Sequence, residues 1–219
     1  ISLEIAKFHN AEIKIIKGEK LKKNFPTIYT VGRAAEESPR LIDLHLRKDK
    51  KFPNITLVGK GVTFDSGGLD LKPGKAMELM KKDMGGAAIA MGLAHSLILE
   101  NLDVNIRLII PTVENAVSRK SMRPLDVIRT RSGVDVEIGN TDAEGRLILA
   151  DALDYANEQS PDLLIDFATL TGAARVALGT ELAALFSNNS YESLRLISVA
   201  NKVNDPIFQM PLHKPYERF

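Results

Sequence analysis

Three short apolar runs, Ile55-Thr56-Leu57-Val58, Asn105 to Pro111 and Leu163 to Phe167, alternate along the 219-residue chain with stretches whose apolar residues recur at helical spacing. Runs this short and β-branched fit strands buried on both faces, and strands alternating with helices fit a mainly parallel (mixed) sheet covered on each side. The expected fold is an α/β/α three-layer sandwich. Ahead of these runs, residues 1–50 predict a short helix and an alternating strand over Ala11 to Lys17. A basic surface turn around Lys20, Lys22 and Lys23 follows, then a helical stretch and a strand over Leu41 to Leu46. The run ending at Gly59 delivers Lys60 to the C-terminal tip of its strand, a favoured place for chemistry in open α/β sheets. From about Ala76 to Leu99 the spacing predicts one long helix carrying Asp83, with Gly85, Gly86, Ala87 and Ala88 keeping one face narrow. Ser118 to Pro124 reads as an exposed connection and Val134 to Ile138 as a strand. The turn from Asn140 to Arg146 then opens a helix over Leu147 to Tyr155.

Composition excludes several classes of partner. With 44% hydrophobic and 26% charged residues and a formal net charge of +1, the chain has no global field that would favour nucleic acid or an anionic membrane. It has no cysteine, hence no thiolate for zinc and no disulfide framework, which agrees with a reducing compartment and a cytoplasmic location. No apolar run approaches the ~20 residues of a membrane span, so no membrane partner is expected. The start at Ile1 rather than Met suggests a fragment or a processed product.

The chemistry concentrates in two glycine-rich turns, Val58 to Gly68 and Asn140 to Arg146. Asp142, Glu144 and Arg146 lie at spacing two, so in an extended turn their side chains project to one side. Two carboxylates held that close repel, and a divalent cation between them is the most effective remedy. With Asp65 and Asp83 there are four carboxylates on separate elements, enough oxygen for a two-metal site. His9, His45, His95 and His213 are scattered without metal spacing, so ligation is expected to be oxygen-rich. Lys60 and Lys72 flank Asp65, and an amine beside divalent cations can lose its proton, so one lysine could serve as a ligand and the other as an electrophile.

Bland readings compete with each of these. A single loop carboxylate is usually solvated or caps a helix. Lys60 lacks the P-loop spacing of a phosphate ligand, and Ser66 lies outside the nucleophile elbow of serine hydrolases. Met77, Met80, Met84 and Met91 are expected to fill core gaps, with Met80 also placed to line an apolar pocket. The basic segment from Arg119 to Arg131 is usually a solvated loop, and nucleic-acid contact is its minority reading.

Val58 to Gly68, Asp83-Met84-Gly85-Gly86-Ala87-Ala88 and Asn140 to Leu147 resemble the signatures of the leucyl aminopeptidases (cytosol aminopeptidases), a di-zinc metallopeptidase family. Pro111 to Asn115, Ala168 to Gly172 and Met210-Pro211-Leu212 follow in family order, and the resemblance is sharpest from about Asn54 onward. It implies that residues 1–219 are an incomplete catalytic domain, lacking the family's N-terminal domain and C-terminal segment. One metal would be held by Lys60, Asp65, Asp83 and Glu144, the other by Asp65, Asp142 and Glu144. Lys72 would polarise the scissile carbonyl, Arg146 would hold a bicarbonate, and a hydroxide activated by both metals would attack. Met80, Thr169, Leu170 and Gly172 match positions near the first side-chain pocket and the substrate backbone. The implied protein is a cytoplasmic homohexamer that removes leucine-like residues from peptides with a free N-terminus. Its ions would be zinc or manganese, with magnesium and cobalt also suited. A two-metal phosphoesterase and a DNA-binding or regulatory module are the alternative readings.

Overall fold

The computed structural model describes residues 1–46 and 49–218, which form two compact units, Ile1–Thr169 and Leu170–Phe219. The first opens with α1 (Ser2–Phe8), β1 (Glu12–Lys17), α2 (Gly18–Asn24), α3 (Pro26–Gly32), β2 (Arg40–Leu46), β3 (Asn54–Gly59) and β4 (Gly61–Asp65). It continues with α4 (Gly74–Met77), a 3-10 turn (Met80–Met84), α5 (Gly85–Leu99), β5 (Asn105–Asn115), β6 (Val127–Arg129), β7 (Asp135–Glu137), α6 (Glu144–Asn157) and β8 (Leu163–Phe167). The second contains α7 (Gly172–Leu178), β9 (Ala183–Leu185), α8 (Ser190–Lys202), β10 (Ile207–Gln209) and a closing 3-10 turn, with β9 and β10 paired in parallel.

The main sheet has six strands in the order β1-β2-β5-β3-β8, with β4 also paired to β5. β3, β4 and β8 join through parallel pairings, and β1 and β2 are antiparallel, which makes the sheet mixed as expected. Alternation along the strands sorts the core into two layers. Val58, Ile109 and Leu41 pack with Leu21 of α2, Phe25 between the helices and Ile28 of α3, and with Leu147, Ile148 and Ala152 of α6. Leu57, Leu108 and Leu44 of the same strands face the other way, onto Ala6 of α1 and Ala87, Ala90 and Ala94 of α5. The α/β/α sandwich is thus the architecture of the first unit. No helix among the described residues is long and apolar enough to cross a membrane.

Several local expectations are corrected. Lys20, Lys22 and Lys23 lie on α2 rather than in a turn, because Gly18 at φ +62° reverses the chain directly after β1 and fully buried Leu21 anchors the helix. The single helix from Ala76 to Leu99 is three pieces, since the 3-10 turn keeps near-helical spacing while turning Asp83 inward to 2% exposure. β5 runs past Pro111 to Asn115, where β4 gives its far half a second parallel partner. β8 is an edge strand, and Leu163 is 39% exposed instead of buried. Met77, Met80 and Met84 are half-buried outside the core, Met91 packs against the α5-side core as expected, and Met122, inside the loop expected to be exposed, is fully in the core. His9 and His95, far apart in sequence, meet with Nε2 and Nδ1 2.7 Å apart where α1 crosses α5.

One polar cluster crosses the α6-side layer. Asp43 Oδ1 and Oδ2 accept hydrogen bonds from Arg107 Nε at 2.9 Å and Nη2 at 3.0 Å, and Oδ2 also accepts from the Tyr155 hydroxyl at 2.8 Å. Burial alone would raise the Asp43 pKa, but bonding to His45, Arg107 and Tyr155 outweighs it and holds the carboxyl far below the ordinary range. A depressed native pKa adds stability above the free-carboxylate value of 3.8, and that stability drains away as pH falls below it. Asp43→Ala leaves Arg107 buried without its anion. We expect a loss of about 3–5 kcal/mol in urea unfolding at pH 7, shrinking as wild type and variant are compared at progressively lower pH.

Candidate metal centre

Lys60 is the single residue between β3 and β4, and its backbone is pinned from two sides. Its N–H donates to the Phe167 carbonyl and its own carbonyl accepts the Ala87 N–H, both at 2.9 Å. The docking of α5 at this break depends on glycine. A Cβ on Gly86 would lie 2.0 Å from the Phe167 carbonyl oxygen, and one on Gly59 would lie 2.6 Å from the Ala87 Cα. The Lys60 side chain, 2% exposed, runs to Asp83 Oδ2 at 2.8 Å and Glu144 Oε1 at 2.9 Å, and Nζ donates to the Thr169 carbonyl at 3.0 Å.

Asp65 closes β4. Its Oδ1 accepts from the Gly67 N–H and from Asn115 Nδ2, both at 2.9 Å, and its Oδ2 lies 3.1 Å from Lys72 Nζ. Lys72 also reaches Asp142 Oδ1 at 2.5 Å. The loop between them turns back through Gly67 at φ +87°, and the Lys72 N–H closes it on the Ser66 carbonyl at 3.0 Å. A reciprocal clip holds this loop to the segment carrying Asp142. The Thr141 N–H donates to Asp70 Oδ2 at 2.6 Å, the Asp70 N–H donates to Thr141 Oγ1 at 2.8 Å, and the Thr141 hydroxyl donates to the Gly67 carbonyl at 2.7 Å.

Lys60, Asp65, Lys72, Asp83, Asp142 and Glu144 are therefore brought into one network. The expected common side for Asp142, Glu144 and Arg146 is not seen. Glu144 is the first residue of α6 and 1% exposed, Asp142 is half-buried against Lys72, and Arg146 faces solvent, because a helix rotates successive side chains by about 100°. Met80, half-buried, opens the 3-10 turn that carries Asp83, and the Thr169 hydroxyl donates to Asp83 Oδ1 at 2.7 Å. Leu170 and Gly172 belong to the second unit. Three polar residues of this network carried no charge signal in the sequence: Asn115, Thr141 and Thr169. Asn115 could have been noticed as the polar end of a long apolar run.

Carboxylate oxygens of Asp65, Asp83 and Glu144 all lie within 4.8 Å of one another. Burial raises the Glu144 pKa to about 7; Lys60 opposes the shift, and the charges of Asp65 and Asp83 add to it. Burial likewise raises Asp142, with Lys72 pulling against it and Asp65 pushing further. Burial disfavours the Lys60 ammonium, yet Glu144 and Asp83 outweigh it and lift the amine above its usual value; Asp142 and Asp65 do the same for Lys72. Four carboxylates thus share two close ammoniums, with Lys82 adding only a half-exposed charge 3.8 Å from Asp83. Buried Glu144 Oε2 has no hydrogen-bond partner. Excess negative charge, an orphaned carboxylate oxygen and an oxygen-plus-amine donor set fit divalent cations.

The sequence profile described as "Cytosol aminopeptidase family, catalytic domain" matches residues 2–218. The chain belongs to the cytosol aminopeptidase family. The match reaches almost to the N-terminus, including residues before Asn54 where the signatures are weaker. A probable cytosol aminopeptidase of Rickettsia canadensis is 45% identical over 92% of this chain and 41% of its own length. The crystal structure of the cytosol aminopeptidase from Coxiella burnetii superposes with a TM-score of 0.96 at 53% identity, over 100% of this chain and 48% of that one. The bottromycin maturation enzyme BotP in complex with Mn superposes with a TM-score of 0.92 at 36% identity, over 99% of this chain and 48% of its own. The chain therefore spans less than half the length of these relatives.

Raised pKa values on Lys60 and Glu144 mean that protons occupy would-be ligand atoms near neutral pH. Ligation requires them to leave, so metal binding should release protons and apparent affinity should rise with pH. Calorimetry of manganese binding in buffers of different ionisation enthalpy measures this; a proton-neutral, pH-independent titration would contradict the assignment.

Proposed function

We propose that this chain is part of the catalytic domain of a metal-dependent aminopeptidase that removes the N-terminal residue of peptides, preferring leucine-like side chains. The observation that carries the proposal is the buried cluster of Asp65, Asp83 and Glu144 around the Lys60 amine, with Lys72 and Asp142 at its rim, in a chain of this family. One ion would be held by Lys60, Asp65, Asp83 and Glu144, the other by Asp65, Asp142 and Glu144. When bound, two divalent ions supply Lewis acidity at the scissile carbonyl and a water nucleophile at neutral pH. Zinc or manganese suits the donors best, and the manganese complex of BotP supports the latter.

The residues of the chain do the rest. Lys72, 13% exposed in its side chain and held by Asp65 and Asp142, would donate to the carbonyl oxygen as negative charge develops there. Arg146, exposed in the first turn of α6, would bind a bicarbonate beside the leaving amine. Met80, Thr169, Leu170 and Gly172 would contact the first side chain and the substrate backbone, which rests on the family resemblance. The full-length protein is proposed to be cytoplasmic, in keeping with the cytosol aminopeptidases it resembles, and a homohexamer, which rests on the family resemblance alone. A phosphoesterase reading is disfavoured because the chain matches the catalytic domain of the cytosol aminopeptidase family, and a DNA-binding role has no supporting field in a chain of net charge +1.

The test is hydrolysis of leucine p-nitroanilide by the full-length protein with added zinc or manganese. Activity should disappear on chelation and return with metal. It should fall more than about a hundredfold in Glu144→Ala, and N-acetylleucine p-nitroanilide should not be cleaved. Metal-independent hydrolysis, or none across several N-terminal residues, would overturn the proposal.

A further inference from the structure

We propose that Asn115 and Thr169 are positioning residues, each serving a different one of the two ions. This rests on the two-ion reading above and goes beyond it by assigning a separate support to each site. Asn115 ends β5 and is 1% exposed. Its carbonyl accepts from the Ser66 N–H at 3.1 Å and the Ser66 hydroxyl at 2.7 Å, so the residue is fixed against the Asp65 loop. Its side-chain Nδ2 then donates in two directions, to Asp65 Oδ1 at 2.9 Å and to the Thr141 carbonyl at 3.1 Å. Asp142 is the next residue after Thr141. One buried carboxamide therefore sets the separation between a shared ligand and the ligand unique to one ion.

Thr169 holds the other side. Its hydroxyl donates to Asp83 Oδ1 at 2.7 Å and its carbonyl accepts from Lys60 Nζ at 3.0 Å, so both ligands unique to the other ion rest on this residue. The two supports touch no common unique ligand. Glu144, shared by both ions, is bonded to neither of them in the network described above. Removing the Thr169 hydroxyl should loosen one ion; removing the Asn115 carboxamide, which also holds the shared Asp65, should loosen the ion beside Asp142 more than the other, and outer-shell losses of this kind weaken metal binding by about tenfold to a hundredfold.

The experiment is a titration of the metal-free, full-length protein with cobalt(II), read by visible absorption and calorimetry without substrate, so that any contact of Thr169 with substrate plays no part. The wild type should bind two ions in resolvable steps. Asn115→Leu, near in volume but without N–H donors, should raise the dissociation constant of one step about tenfold to a hundredfold. Thr169→Val should do the same to the other step, and Thr169→Ser, which keeps the hydroxyl, should restore it. Asn115→Ala replaces the leucine variant if thermal melting shows that variant to be unfolded. Both variants weakening the same step most, either variant weakening both steps equally, or neither changing would overturn the proposal. A wild type that binds fewer than two ions would overturn the two-ion reading itself, and this inference with it.

Discussion

The buried ammonium of Lys60 is the interaction on which the rest of the site depends. Asp83 and Glu144 are each nearly inaccessible to solvent, and carboxylates buried so close together could not both remain ionised without a cation between them. Lys60 supplies one charge at 2.8–2.9 Å from both and is itself buried, which only these partners make tolerable. Its position is not adjustable. The break between β3 and β4 leaves one residue whose N–H and carbonyl are taken by β8 and α5, so the side chain must leave the sheet there. The close approach of α5 that takes the carbonyl is the one that Gly59 and Gly86 make sterically possible.

From that fixed point the cluster is assembled by elements distant in sequence. Asp65 comes from the end of β4, Asp83 from a 3-10 turn, Glu144 from the first residue of α6 and Lys72 from a glycine-shaped loop. Each carboxylate is held by at least one neutral or cationic donor, but the positive charge at hand is smaller than the negative charge it faces. Burial raises the pKa of Glu144, the charges of Asp65 and Asp83 add to that shift, and its buried Oε2 has no hydrogen-bond partner. A rigid scaffold that holds like charges together is poised for cations rather than relaxed without them.

Much of this was legible in the sequence, and what was not has physical reasons. The strands at Ile55–Val58 and Leu163–Phe167 stood out as short apolar runs between helical stretches, and the acids stood out because glycine-rich turns rarely collect so many. The break between α4 and α5 was hidden because a 3-10 turn preserves near-helical spacing while redirecting Asp83. The helical placement of Glu144 was missed because the turn and the helix share the residues that mark both. The contacts of Asn115, Thr141 and Thr169 with the cluster could not be read from spacing, since neutral side chains reveal such roles only through partners that folding brings to them; the family resemblance pointed to Thr169 only as a substrate contact.

The central claim is that the carboxylate cluster around Lys60 holds two divalent ions. Anomalous-difference density from manganese-soaked crystals of the full-length protein tests it most directly. The account predicts two peaks, one beside Lys60 and Asp83 and one beside Asp142, with Asp65 and Glu144 touching both. A single peak, or manganese bound elsewhere with the cluster unchanged, would contradict it.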